Sequence, residues 1–161
     1  MAESPVKTKI MDYIAARVGE VDLINTVIRQ APLPRLWEIQ EKPTAFLYDD
    51  DETSVEQRNS IRRAQFTLYL YIKVRSENGR QTINDLLDIL QADVYQKLVW
   101  NCGASLKAYG VRIREDQSPV AAKYFDDEYL GALMLAYTVT YHTNAKSLYT
   151  KEYDVNTNLN P

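Results

Sequence analysis

The sequence predicts an α+β domain with a largely antiparallel sheet, two main helices packed on one face and one very long strand or hairpin. Two observations carry this prediction. Residues 63–75 alternate between apolar and polar side chains, which is typical of a strand with one buried face. The predicted strands follow one another in runs and do not alternate regularly with helices, which argues against a parallel sheet.

The composition is that of an ordinary globular domain. The chain has 161 residues, of which 45% are hydrophobic and 25% charged, so one domain with its own core is expected. The net charge of −3 argues against a general nucleic-acid binder, which needs a basic face. Cys102 is the only cysteine, so an intrachain disulfide is excluded and a reducing compartment is expected. The sequence predicts neither a signal peptide nor a membrane-spanning stretch.

The first predicted element is a helix over residues 4–19. Ser4 is placed to cap it, Pro5 suits the first helical position and Gly19 suits the end. Apolar residues recur three and four positions apart, which gives the helix one apolar stripe.

Short strands follow this helix. They are predicted over residues 24–29 and 44–48, and residues 35–40 fit either a helical turn or an extended piece. Residues 53–61 are polar and predict a loop or a hairpin excursion.

The strand of residues 63–75 is the clearest signal in the chain. At ~3.3 Å per residue it spans about 40 Å, about twice the usual length, so it is expected to overhang its own domain. The chain holds 12 Tyr against 3 Phe, and tyrosine suits half-exposed sheet faces and interfaces, although it is also simply a good strand former. The side chains predicted to face outward are Arg63, Gln65, Thr67, Tyr69, Tyr71, Lys73 and Arg75.

A second helix is predicted over residues 82–100, after a turn. Thr82 would cap it, with Asp85 three residues later as in a capping box. Asn101 and Gly103 are placed to end it.

Three further strands complete the predicted domain, which covers residues 1–142. They are expected over residues 106–114, 120–125 and 130–142. Residues 143–161 are polar and predict an extended C-terminal arm, or else a frayed terminus.

No catalytic apparatus is visible in the sequence. His142, the only histidine, has no orienting carboxylate or nucleophile near it in sequence. Cys102 follows the C-terminal end of a helix, whereas reactive cysteines favour N-terminal ends. The acidic run 49–52 begins like a calcium loop, but Ser54 and Ser60 stand where that loop needs Gly and Glu. We therefore expect a role in assembly, with no enzymatic activity, metal or cofactor.

The arrangement of these elements resembles a known family. An N-terminal helix and short strands precede a series of segments in a fixed order: Pro43–Tyr48, the acidic run Asp49–Glu52, Arg63–Arg75, Thr82–Trp100, Val111–Ile113 and Ala136–Tyr141. Over residues 6–142 this order resembles the tail terminator proteins of long-tailed bacteriophages, also called tail-completion or minor tail proteins.

The resemblance implies a structural virion protein with an α+β fold that forms a hexameric ring. Such a ring docks on the last ring of tail-tube subunits, stops their polymerisation and presents the surface that joins the head–tail connector. In a contractile tail it also meets the sheath. The implied location is the head-proximal end of the tail, assembled in the host bacterial cytoplasm. No membrane or cofactor is implied, and DNA passes through the bore only as cargo.

Interaction residues are predicted on the long strand and in two acidic clusters. The clusters are expected to line the bore and repel passing DNA. The predicted interaction residues are Arg63, Tyr69, Tyr71, Lys73 and Arg75 on the strand, with Asp49, Asp50, Asp51, Glu52, Asp126, Asp127 and Glu128 in the clusters.

Two other functions stay open at this point. One is another head–tail joining or neck protein of a tailed phage, because such proteins share small α+β folds. The other is an enzyme or small-ligand domain, which would need a concave pocket that gathers His142, Cys102 and a carboxylate.

Overall fold

The computed structural model describes residues 4–31, 43–50, 52–58, 60–100, 109–115, 121–125 and 129–149. The elements in chain order are α1 (Val6–Gly19), β1 (Thr26–Ile28), β2 (Thr44–Asp49), β3 (Thr53–Arg58), β4 (Ile61–Arg75), α2 (Arg80–Tyr95), β5 (Arg112–Glu115), β6 (Ala121–Phe125) and β7 (Leu130–Asn144). Helix α2 continues as a π-helical turn over Gln96–Trp100. The predicted α+β class is confirmed.

Strands β4 and β7 form the centre of a seven-stranded sheet. They pair antiparallel along their whole length, from Ile61 opposite Asn144 to Arg75 opposite Leu130. Strands β2 and β3 both pair with β4, and β5 and β6 both pair with β7, all antiparallel. Among the described strands, only the short β1 pairs parallel, with β2. The described sheet is therefore largely antiparallel, as the sequence predicts.

The flanking strands divide the β4–β7 ladder into two halves. In the tyrosine half, residues 68–75 of β4 face residues 130–137 of β7, and β2 and β6 flank them. In the hairpin half, residues 61–67 of β4 face residues 138–144 of β7, flanked by β3 and β5.

The main core lies between the sheet and the two helices. The alternating apolar side chains of β4 and β7 face the helices along both halves of the ladder, which explains the strict period of two in the sequence. Fully buried members of this core include Ile10, Ile14, Leu68, Leu70, Ile72, Ile83, Leu87, Leu133, Leu135 and Val139.

Helix α2 packs closely on the sheet at Gly131 of β7. A Cβ atom added there would clash with Cγ2 of Ile83, so a larger residue would have to displace that side chain. The C-terminal ends of the two helices also meet, because the guanidinium of Arg17 donates hydrogen bonds to the backbone oxygen of Lys97.

Both predicted helix N-caps are wrong. The side chain of Ser4 does not cap α1; the backbone N–H of Val6 donates instead to the backbone oxygen of Leu148, 2.9 Å away. Thr82 lies inside α2, which starts at Arg80 after Gly79. Gly79 has a φ of 96°, a conformation that favours glycine, and its carbonyl accepts the N–H of Ile83.

Residues 53–58 resolve one alternative that the sequence left open. They form β3, which makes a hairpin with β4, so the hairpin prediction is right and the loop prediction is wrong. The strand predicted over 106–114 is described from residue 109 onward, where β5 begins at Arg112. The segment 35–40, the first part of that strand and the predicted helix end at 101–103 lie outside the described residues.

Strand β7 continues past its predicted end at residue 142. Thr143 and Asn144 belong to the strand and are buried. The backbone N–H of Ala145 then donates to the backbone oxygen of Ser60, 2.7 Å away. The beginning of the predicted C-terminal arm therefore packs on the domain, and residues 150–161 lie outside the described part of the chain.

Candidate interaction face

The face of the sheet opposite the helices carries a second apolar cluster. Phe46, Tyr71 and Ala132 are 0%, 8% and 4% exposed, and Ile28 and Met134 pack against them. Phe46 and Tyr71 lie opposite each other on β2 and β4, with ring centroids 6.5 Å apart. The tyrosine half of the ladder is thus apolar on both faces.

Tyrosine side chains extend this cluster along the sheet. Tyr48 and Tyr69 are register partners, and their rings stack with centroids 5.2 Å apart. The Tyr48 hydroxyl donates to the sulfur of Met134 at 3.7 Å. Burial raises the pKa of Tyr48, and the neighbouring Tyr69 and Tyr124 raise it further.

The accessible side chains on this side of the sheet are Tyr48, Tyr69, Tyr124 and Met134, which we call the tyrosine face; Phe46 and Tyr71 are buried beside them. Tyr124 on β6 is its most exposed aromatic member, with 52% of its surface accessible. Each tyrosine offers a large apolar ring with a hydroxyl at its tip, so the surface can bury area against a partner and still form hydrogen bonds.

The predicted strand residues share this side of the sheet but differ in exposure. Tyr69 is half-buried, and Tyr71 is largely buried under its neighbours, so Tyr71 supports the surface and offers little area of its own. Lys73 is half-buried, and Arg75 is exposed at the end of β4. Arg63 lies in the hairpin half, opposite His142, away from the tyrosine face.

Tyr48, Tyr124 and Met134 were not predicted as site residues. Tyr48 was missed because residues 45–48 are all hydrophobic and show no alternation that would assign faces. The strand that carries Tyr124 is short and weakly patterned. The sequence signals that pointed to such a surface were the high tyrosine content and the outward alternation of Tyr69 and Tyr71.

The described part of the first acidic cluster is tied into the fold. The carboxylate of Asp49 pairs with the ammonium of Lys7 at 2.7 Å, and Glu52 pairs with Arg62. Asp50 accepts a hydrogen bond from the backbone N–H of Thr67 through its carboxylate, at 2.7 Å. Two of these three carboxylates thus have a cation beside them, which argues against a free acidic patch.

The remaining predicted acidic residues lie outside the described residues. They are Asp51, Asp126, Asp127 and Glu128. Their expected place in a bore therefore stays a prediction.

The hairpin half holds a set of buried polar atoms with no hydrogen-bond partner among the described residues. Each belongs to β4 or β7, and they are Arg62 Nη1, Arg63 Nε, Thr140 Oγ1, Thr143 Oγ1 and Asn144 Nδ2. The two arginines are thus partly buried in the sheet, although adjacent arginines at a strand start are usually solvated. A buried polar atom without a hydrogen-bond partner costs about 1–3 kcal/mol of stability. The hydrogen bonding of the hairpin half is therefore less complete than that of the tyrosine half.

The residues required by the enzyme hypothesis are not brought together in the described chain. His142 lies near the end of β7, where Gly110 packs against its ring, and its backbone N–H donates to the carbonyl of Tyr109. Cys102 is outside the described residues. Where side chains are described, no group of three His, Cys, Asp or Glu could hold a metal ion.

No family model and no curated protein matches the chain. Among the described helices, none combines the length and the apolar character needed to cross a membrane.

Proposed function

We propose that the chain is a structural protein of a bacteriophage tail, a tail terminator that forms a hexameric ring. The ring caps the tail tube, ends its polymerisation and offers the interface to the head–tail connector. The proposal rests on the resemblance in element order over residues 6–142 and, above all, on the tyrosine face as a broad contact surface.

The tyrosine face carries the proposal because its chemistry suits protein contacts. Interface cores are enriched in tyrosine and methionine, whereas lysine and glutamate are depleted there. On this face, Tyr48, Tyr69, Met134 and Tyr124 lie on the four neighbouring strands β2, β4, β7 and β6, and the buried Phe46 and Tyr71 lie on the same face. Packing against these buried rings keeps the exposed rings in place, which lowers the entropy lost on binding.

The partners implied by this function are proteins of the same particle. They are further copies of the chain, the tail-tube protein, the connector or neck proteins and, in a contractile tail, the sheath. DNA is passing cargo, and the site of action is the head-proximal end of the virion tail.

The experiment that tests the proposal is binding to purified tail tubes of the cognate phage. We expect the wild-type chain to cap one tube end in electron micrographs and to stop tube growth. Tyr124→Ser is expected to weaken tube binding roughly tenfold or more, because a central interface tyrosine contributes about 2 kcal/mol. Tyr13→Ser is the matched control, since Tyr13 is similarly exposed, at 42%, but lies on α1 across the sheet.

The outcomes separate the proposed function from its alternative. Binding to isolated portal or connector complexes, with no binding to tubes, would identify a neck protein. Equal loss of tube binding in the two tyrosine variants would show that the tyrosine face is not the contact surface.

A further inference from the structure

The turn between β4 and α2 holds the only Asn-Gly pair in the sequence. Of the five glycines, only Gly79 follows an asparagine, Asn78. In such a pair the backbone nitrogen of the glycine can reach the side-chain amide carbon of the asparagine and close a five-membered ring with it. Glycine has no side chain to shield that nitrogen, so this pair is the most reactive asparagine context in a protein chain.

The structure leaves the pair open to this reaction. Asn78 is exposed, and a Cβ atom added to Gly79 would meet no atom within 4 Å. Asn78 is held in the turn through its backbone, because its N–H donates to Oγ of Ser76, 3.2 Å away. Ring closure therefore needs the rotation of an exposed side chain and of the adjoining peptide, and it does not disturb the core.

The other described asparagines are in less reactive surroundings. The side-chain oxygens of Asn84 and Asn144 each accept a hydrogen bond, and Asn144 is fully buried. Asn25 is exposed, but its side-chain amide donates to Oγ1 of Thr26, 3.1 Å away. Thr26 is also β-branched, so its side chain crowds the backbone nitrogen that would have to attack.

We propose that Asn78 deamidates spontaneously in the folded protein, and that its isoaspartyl product loosens the start of α2. The backbone nitrogen of Gly79 gives its proton to hydroxide and attacks Cγ of Asn78. The new N–Cγ bond closes a succinimide ring, the Cγ–Nδ2 bond breaks, and ammonia leaves. One water molecule then opens the ring. This modification is independent of the proposed tail function.

The ring can open in two ways. Attack of water on Cγ restores the ordinary backbone and leaves an aspartate. Attack on the backbone carbonyl carbon of Asn78 leaves an isoaspartate, whose backbone runs through the former side chain and is one carbon longer. Either product adds one negative charge to a chain whose net charge is −3.

The two products have different consequences for α2. The first turn of α2 contains no acidic residue, and a carboxylate just before a helix N-terminus interacts favourably with the helix dipole, so the aspartate is tolerated. The longer isoaspartyl backbone displaces the residues on either side of it. The Gly79 carbonyl accepts the N–H of Ile83 at 3.2 Å, and the N–H of Ser76 donates to the carbonyl of Tyr129 at 2.9 Å. Loss of these hydrogen bonds weakens the start of the helix.

The test is incubation of the folded full chain at mildly alkaline pH, followed by digestion with trypsin and mass spectrometry. Cleavage after Arg75 and Arg80 releases residues 76–80 as one peptide. We expect this peptide to gain about 1 Da, at a rate that rises in proportion to the hydroxide concentration. The rate should lie within about tenfold of that in the urea-unfolded chain, because the exposed turn opens at little cost. A sample digested without incubation corrects for reaction during the digestion.

Two variants and one purified product complete the experiment. Asn78→Gln should abolish the mass gain, because glutamine must close a larger ring, whereas the matched control Asn25→Gln should leave it unchanged. Asn78→Asp should unfold like the wild type. The acidic fraction of the incubated wild type, with its isoaspartate measured by isoaspartyl methyltransferase, should melt at a lower temperature than Asn78→Asp and exchange the amide proton of Ile83 faster.

Three results would overturn the inference. If the unfolded chain gains mass and the folded chain does not, the fold protects the pair. If the peptide that holds Asn25 gains mass as fast as residues 76–80, Asn78 is not a selective site. If the isoaspartyl fraction melts and exchanges like Asn78→Asp, the extra backbone carbon does not loosen α2.

Discussion

The two halves of the β4–β7 ladder share the same pair of strands. They differ in how their faces are covered and in how fully their buried polar atoms are hydrogen-bonded. In the tyrosine half both faces are apolar, with the helices on one side and the cluster around Phe46 and Tyr71 on the other. In the hairpin half only the helix side is apolar, and the buried polar atoms without partners lie there. The difference indicates that the tyrosine half is the more stable part of the ladder, whereas the hydrogen bonding of the hairpin half is less complete.

The largest expected effect comes from the second face of the ladder. Tyr71→Ala should lower the free energy of unfolding by about 3 kcal/mol or more, because it removes a buried ring from the cluster. Gln65→Ala, on the same face of β4 but in the hairpin half, should cost less than about 1 kcal/mol. Urea denaturation of both variants measures their free energies of unfolding. Equal losses would show that the two halves of the ladder do not differ in this way.

A smaller effect is expected from the ion pair of Glu52 and Arg62 in the hairpin half. Their side chains are only 18% and 16% exposed. Glu52→Gln should cost about 1–3 kcal/mol, because it leaves a buried guanidinium beside a neutral amide. Glu20→Gln is the control, since Glu20 is 48% exposed and pairs with Arg17 and Lys97 at the surface, where a pair contributes about 0–1 kcal/mol.

If thermal or urea unfolding shows the same small loss for both glutamate variants, the hairpin half is more solvated than its geometry indicates. A larger loss for Glu52→Gln than for Glu20→Gln would support the burial of the Glu52–Arg62 pair.

The smallest expected effect is a loss of stability in alkali that originates in the tyrosine half. Burial raises the pKa of Tyr137, with contributions from Glu115 and Tyr95, and burial also raises the pKa of Tyr48. A group whose pKa is raised by folding keeps its proton after the unfolded chain has lost it. Its contribution is therefore complete below the ordinary tyrosine pKa of 10.0 and is lost as the pH rises above that value.

Thermal unfolding between neutral pH and strongly alkaline pH measures this loss. Tyr137→Phe should make the melting temperature fall less as the pH rises. Tyr13→Phe, on the exposed surface of α1, should leave this fall unchanged. An unchanged decrease in Tyr137→Phe would show that other groups govern the alkaline unfolding.

Much of the fold follows from local sequence patterns, and the differences have physical causes. The strict alternation of 63–75 predicted β4 because one face of that strand is buried along its length. The N-cap of α1 was mispredicted because its partner is not local: Leu148, far along the chain, satisfies the first N–H of α1, which a cap chosen from adjacent residues cannot anticipate. The N-cap of α2 was mispredicted because that helix begins earlier, after the positive-φ Gly79.

The candidate site was less predictable than the fold. Tyr69 and Tyr71 were assigned to the correct face from alternation, but their burial depends on β2 and on which strands become neighbours. Tyr48 and Tyr124 join them only through the order of strands in the sheet, which no local pattern contains. The acidic run likewise gave no sign that Lys7 and Arg62 would pair with it.

The most direct test of the proposed ring is the mass of the assembled protein, by light scattering across a range of concentrations and on capped tail tubes. A closed species of six 18.6 kDa chains is expected, with no stable dimer on the way. A stable two-fold dimer, or a chain that remains a monomer in solution and leaves tube ends bare, would contradict it.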